Sequence, residues 1–163
     1  MDYRDPVTAN GKMGRVLVVD DVAVVRKSIR MTLTNTGYDV VEAEDGEHAM
    51  ATLQAMESCP PVDAILCDLR MPQINGAELI ACFRRRYPAI PVVALIAYPD
   101  VELAVSLMRQ GVMDFLVKPV LQDELLSVVK RAVEQNAVPN DHVVSYKELR
   151  QGAENKSGKS VGG

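Results

Sequence analysis

The 163-residue sequence predicts an α/β fold: a doubly wound, five-stranded parallel sheet flanked by five helices. Two observations lead there. Short apolar runs alternate with longer amphipathic stretches, the pattern of repeated strand–helix units joined by right-handed crossovers. The apolar runs are also near-continuous rather than alternating with polar residues, as expected of strands covered on both faces.

The elements follow in order. "RVLVVDD" is an apolar run ending in two acids, the first strand. In "VAVVRKSIRMTLTNTG" Val22, Val25, Ile29 and Leu33 fall at helical spacing, and Gly37 is placed to stop the helix. "YDVVEA" is a short β-branched strand, followed by the helix formers of "DGEHAMATLQAMES", with Ala49, Leu53 and Met56 on one face. After Pro60 and Pro61, "VDAILCD" is a third strand, again ending in an acid. "MPQINGAELIACFRRRYP" reads as a turn and then a helix with Asn75 as N-cap. "IPVVALIA" is the fourth strand, and "DVELAVSLMRQG" a helix with an acidic first turn and Gly111 at its end. "MDFLVKP" is a fifth strand stopped by proline, and "QDELLSVVKRAVEQN" the closing amphipathic helix.

These elements place one domain at residues 13–135, after an N-terminal extension at 1–12. Residues 136–163 change to a polar character that predicts a flexible tail, with one weak helical turn near Ser145 to Leu149 and no second folded domain. Apolar residues make up 48% and charged residues 25%, the balance of a soluble globular protein. A formal charge of −4 argues against direct binding to nucleic acid or an anionic membrane. No apolar run approaches the roughly 20 residues that cross a bilayer, and the polar N-terminus lacks a signal-peptide core, so a cytoplasmic location is expected. Cys59, Cys67 and Cys82 form no metal-ligand spacing and read as reduced structural thiols.

Ligands of an open parallel sheet bind at the carboxyl ends of its strands, near the point where strand order reverses. There the sequence puts Asp20 and Asp21 after the first strand, Asp68 after the third, and Lys118 after the fifth. Any one of these acids alone would pass as a strand-end cap. Three together repel one another unless a cation joins them, and hard oxygen ligands with open positions suit Mg²⁺ and a phosphate oxygen. Lys118 adds a point positive charge for that phosphate.

The segments "VLVVDD" (16–21), "ILCDLRMPQINGAEL" (65–79) and "GVMDFLVKP" (111–119), in that order, resemble the receiver domain of bacterial two-component response regulators. The resemblance implies a flavodoxin-like receiver fold and a phospho-acceptor role for Asp68, with a sensor histidine kinase or phosphotransfer protein as donor. It implies Mg²⁺ held by Asp20, Asp21, Asp68 and the backbone carbonyl of Arg70, with Lys118 on the phosphoryl group and a Lys118–Pro119 bond of the kind commonly cis. It further implies an unidentified downstream protein partner docking on the fourth helix, fifth strand and fifth helix, and leaves open whether a homodimer forms through the same face. Arg70 and Tyr98 match positions that flank the site and tune the access of water. The chain would be a signalling module and not a turnover enzyme.

One position departs from the pattern. The family places Ser or Thr at the end of the fourth strand and an aromatic residue in the fifth. Phe115 supplies the aromatic, but Ile96 stands where the switch hydroxyl is expected. The alternative expectation is therefore a degenerate receiver that acts as a phosphorylation-independent interaction or scaffold module. A Mg²⁺-dependent phosphohydrolase would need a second acid two residues past its nucleophile; Arg70 and Val22 occupy those places. "AENKSGKS" (153–160) imitates a phosphate loop, but such a loop follows a strand and opens a helix, and the pattern here is not expected to supply either. His48 and His142 lack metal-ligand partners at useful spacing.

Overall fold

In the computed structural model, which describes residues 13–57, 61–71 and 75–137, each apolar run forms a strand and each amphipathic stretch a helix. The order is β1 (Arg15–Val19), α1 (Ala23–Thr36), β2 (Asp39–Ala43), α2 (Gly46–Ala55), β3 (Ala64–Asp68), α3 (Gly76–Arg86), β4 (Val92–Ile96), α4 (Val101–Arg109), β5 (Asp114–Val117) and α5 (Gln122–Ala137). All neighbouring strands pair in parallel, in the order β2-β1-β3-β4-β5. The chain moves outward from β1 to β2, then returns to β3 on the other side. The reversal lies between β1 and β3, so the ends of those two strands open onto one crevice.

The continuous apolar runs are explained by two cores, one on each face of the sheet. Leu17, Val19, Ile65, Cys67, Val92, Ala94 and Ile96 face α2, α3 and α4, where Leu53, Ile80, Phe83 and Leu107 meet them. Val16, Val18, Ala64, Leu66, Val93 and Leu95 face α1 and α5, against Ile29, Leu33, Leu125, Val129 and Val133. Successive strand residues point to opposite faces, so both must be apolar. Each fully buried aliphatic side chain contributes about 1.5–3 kcal/mol.

Helix ends follow their local chemistry. Asp45, Asn75 and Asp100 accept the backbone N–H of His48, Ala77 and Leu103 at 2.7, 3.0 and 2.7 Å, and each cap contributes about 1 kcal/mol. Gly37 ends α1 with φ 116°, and Gly111 follows α4 with φ 87°, left-handed conformations that suit glycine. Gly76 is required for a different reason: a Cβ there would lie 2.7 Å from the Leu69 carbonyl carbon, just beyond the acid that ends β3.

Val22 departs from expectation. It stands outside α1 and is exposed, because its N–H is drawn to the Asp20 carboxylate at 2.9 Å, while Ile29 and Leu33 carry the buried face. Among the described residues no helix is long and apolar enough to cross a membrane, and Cys67 and Cys82 are free thiols. The expected N-terminal extension, flexible tail and helical turn, together with Cys59, His142 and the segment 153–160, lie outside the described residues.

Candidate functional site

Asp20 directly follows β1 and Asp68 ends β3, so two rigid strands aim both carboxylates into the crevice. Among the described residues they are the buried charged side chains of the core, 0% and 4% exposed, and water therefore does little to relieve their mutual repulsion. Asp21, one residue further, is exposed. The carboxylate oxygens of Asp20, Asp21 and Asp68 lie within 4.8 Å of one another.

Lys118, at the end of β5, reaches across β4 to join them. Its Nζ lies 2.9 Å from Asp20 Oδ2 and 3.2 Å from Asp68 Oδ2. Its backbone N–H donates to the carbonyl of Ile96 at 2.8 Å, and the Lys118–Pro119 bond is cis. The remaining Asp oxygens are held by the backbone: Val22 N–H donates to Asp20 Oδ1, and Arg70 N–H to Asp68 Oδ1 at 3.1 Å.

The electrostatics follow from this crowding. Burial pushes the Asp68 carboxyl above the usual aspartate range, and Asp20 adds to the rise; the Arg70 N–H and Lys118 pull the other way without cancelling it. Burial alone would lower Lys118, but the two carboxylates outweigh it and hold the ammonium above the ordinary lysine value. The Cys67 thiol beside them is pushed up by its burial and by both aspartates, and stays protonated.

A hard divalent cation fits this donor set. The oxygens are carboxylates, the ligands best suited to Mg²⁺. Oδ2 of buried Asp20 accepts no well-aligned hydrogen bond despite its ion pair with Lys118, so one oxygen is left for further coordination.

Without a metal, the repulsion should cost stability. Asp68→Asn is expected to raise the melting temperature by about 3–6 °C, on the order of 1 kcal/mol, in EDTA near neutral pH. A carboxyl with a raised folded pKa keeps its proton in the folded state when the unfolded chain has lost it. Stability then falls as pH rises through the interval between the unfolded and folded values. The advantage of the asparagine should therefore grow with pH through that interval and shrink below it. Thermal unfolding at several pH values checks this; a gain that is largest in acid would contradict the assignment.

Of the residues singled out from sequence, Asp20, Asp21, Asp68 and Lys118 come together. Arg70 stands at the rim with its guanidinium 4.9 Å over the ring of Tyr98, which is exposed. Ile96 is buried in the core on the α4 side, and Phe115, half-buried, packs against the same cluster. His48 is exposed on α2, away from these residues. Sequence reasoning missed Arg26 and Glu42. Arg26 donates to the backbone carbonyl of Asp20 at 2.7 Å and to the Glu42 carboxylate at 3.0 Å. The available signal was Glu42, a charged residue placed after the β-branched pair Val40 and Val41 inside the strand "DVVEA".

The structure is thus a 2-1-3-4-5 parallel α/β sheet with acids at the carboxyl ends of the adjacent strands β1 and β3 and a lysine following the edge strand β5. The response regulator receiver domain model matches residues 16–130, and the chain belongs to that family. The transcriptional regulatory protein GlrR of Escherichia coli (strain K12) is 36% identical over 130 residues, covering 80% of this chain and 28% of GlrR. The DNA-binding transcriptional regulator NtrC of Salmonella typhimurium is 36% identical over 120 residues, covering 74% of this chain and 25% of NtrC. The chain thus spans about a quarter of the length of these relatives. Among solved structures, the Vibrio cholerae chemotaxis protein CheY4 matches with a TM-score of 0.67 and 30% identity, over 73% of this chain and 98% of that one. NtrX of Brucella abortus matches with a TM-score of 0.71 and 26% identity, over 87% of this chain and 34% of its own.

Proposed function

We propose that the protein is a phospho-accepting receiver of two-component signalling, with Asp68 as acceptor and a sensor histidine kinase or phosphotransfer protein as donor. The observation that carries this reading is a buried carboxylate at a strand end with a lysine 3.2 Å away and two further acids beside it. Asp68 would attack the phosphorus of a phosphohistidine. The new bond is Asp68 O–P, the broken one P–N, and the electron pair returns to the imidazole, which takes up a proton. Carboxylate is a weak nucleophile, so alignment and charge compensation supply most of the acceleration. Arg70 N–H holds one oxygen of Asp68, fixing the other toward the incoming group. Lys118 offsets charge on the phosphoryl oxygens. Mg²⁺, held by Asp20, Asp21, Asp68 and the backbone carbonyl of Arg70, would supply further charge neutralisation when bound.

On this reading the protein turns over no external substrate and works in the cytoplasm through a protein partner. The output face is α4, β5 and α5, where Val101, Val105, Met108, Val117 and Leu121 are exposed apolar side chains; a homodimer would use the same surface. Direct nucleic-acid contact has no part in it.

Incubation with acetyl phosphate and Mg²⁺ followed by intact mass is the test. Wild type should gain one labile phosphoryl group and Asp68→Asn none; the absence of any Asp68-dependent gain would end the proposal.

Ile96 favours a second reading, a degenerate receiver that binds its partner with or without phosphate. Its side chain is buried among apolar neighbours and offers no donor to a phosphoryl oxygen. Equal partner affinity in the presence and absence of beryllofluoride would support the second reading over the first.

A further inference from the structure

Asp20 and Asp21 are not held in the same way. Asp20 is fastened at four points: its N–H donates to the Ala43 carbonyl at 3.2 Å, its Oδ1 accepts from Val22, its Oδ2 pairs with Lys118, and its carbonyl accepts from Arg26. Asp21 makes no hydrogen bond or ion pair of its own with the described residues, yet its carboxylate stands within 4.8 Å of two others of the same charge. Repulsion should swing it into solvent. What opposes that is the orientation of the peptide joining Asp20 to Asp21, and the group that grips the peptide's oxygen is the Arg26 guanidinium, at 2.7 Å.

The guanidinium is in turn clamped. Its Nε donates to Glu42 Oε1 at 3.0 Å, and Glu42 also receives Arg30 on Oε2 at 2.6 Å. Arg26 and Glu42 side chains are only 14% and 18% exposed, so the fork is held in a partly desolvated setting rather than waving at the surface. The planar fork can serve a carboxylate and a carbonyl at once; an ammonium offers no such fixed geometry.

We infer that Arg26, oriented by Glu42, is a positioning residue for the acidic cluster: by fixing the Asp20–Asp21 peptide it keeps the Asp21 carboxylate in place to share a divalent cation. This rests on the proposed metal-dependent phospho-acceptor reading and adds to it a residue outside the acids and lysine.

Simple charge and positioning predict opposite signs. Removing a cation near a cation site should tighten Mg²⁺ binding if only Coulomb attraction mattered. Losing an orienting partner should weaken it by about ten-fold or more. The experiment is a calorimetric titration of the full chain with MgCl₂ at constant ionic strength, with thermal midpoints measured alongside. Arg26→Met is expected to weaken Mg²⁺ by about ten-fold, and Arg26→Lys by less, since the charge stays while the two-armed grip is lost. In an Asp21→Asn background the same Arg26→Met change should cost less than about two-fold further, because its target is gone. A purely structural role would lower the midpoint without this loss of coupling.

Unchanged or tighter Mg²⁺ binding by Arg26→Met overturns the inference, as does an equal loss in both backgrounds. Should Arg26→Met not fold, Arg26→Lys decides, wild-type affinity then counting against the inference. Wild type that takes up no Mg²⁺ overturns the phospho-acceptor reading itself, which separates the two failures.

Discussion

Replacement of Lys118 by methionine is expected to slow phosphoryl transfer from acetyl phosphate to Asp68 by about 10²–10³-fold, the usual loss when one pre-aimed electrostatic partner is removed. The ammonium is the cation within ion-pair distance of both buried aspartates, at 2.9 and 3.2 Å, and none of the described arginines pairs with either carboxylate. Methionine keeps the stem's packing and removes only the charge. Stability should suffer too. Breaking a buried ion pair from one side leaves uncompensated charge, which costs on the order of 3 kcal/mol. Added Mg²⁺ should restore much of that stability, because it supplies the missing positive charge, but not the transfer rate. Chemical denaturation with and without Mg²⁺, together with the rate of mass gain, checks both halves. A full rate in the methionine variant would remove Lys118 from the chemistry.

The second large effect concerns Ile96. Ile96→Thr places a hydroxyl at the end of β4, beside the strand whose next residue after Val117 is Lys118. A hydrogen bond from that hydroxyl to a charged oxygen or fluorine ligand is worth about 1.5–3 kcal/mol, so Mg²⁺-dependent beryllofluoride affinity should rise by about 10–100-fold. The unliganded variant should lose about 1–3 kcal/mol, since the hydroxyl sits among the apolar side chains that bury Ile96. Gain in the bound state and loss in the free state together distinguish a switch position from a merely tolerant one. Unchanged beryllofluoride affinity would sink this account of the residue.

Much of the architecture was readable before any coordinates. Strand and helix alternation, the cap at Asn75, and the stops at Gly37 and Gly111 depend on local chemistry that the sequence carries directly. The convergence of Asp20, Asp68 and Lys118 was legible because they end strands, and strand ends in a parallel sheet share one edge. Arg26 and Glu42 were not, because their contact joins a helix to a strand 16 positions away and depends on the rotation of α1 about its axis. Val22 was misplaced for a related reason: periodicity assigns it to the helix face, but a side chain two residues earlier captures its N–H. The stack of Arg70 on Tyr98 likewise required knowing how two loops sit against each other.

The two cores have a further consequence. The sheet separates Ile96 and Phe115, which pack with α2, α3 and α4, from the half that packs α1 and α5. A shift of Ile96 or Phe115 would therefore press directly on the compartment that holds α4, while α5 of the proposed output face packs across the sheet from both. On the proposed reading, α4 lies on the same side of the sheet as the two switch positions, and α1 lies on the other.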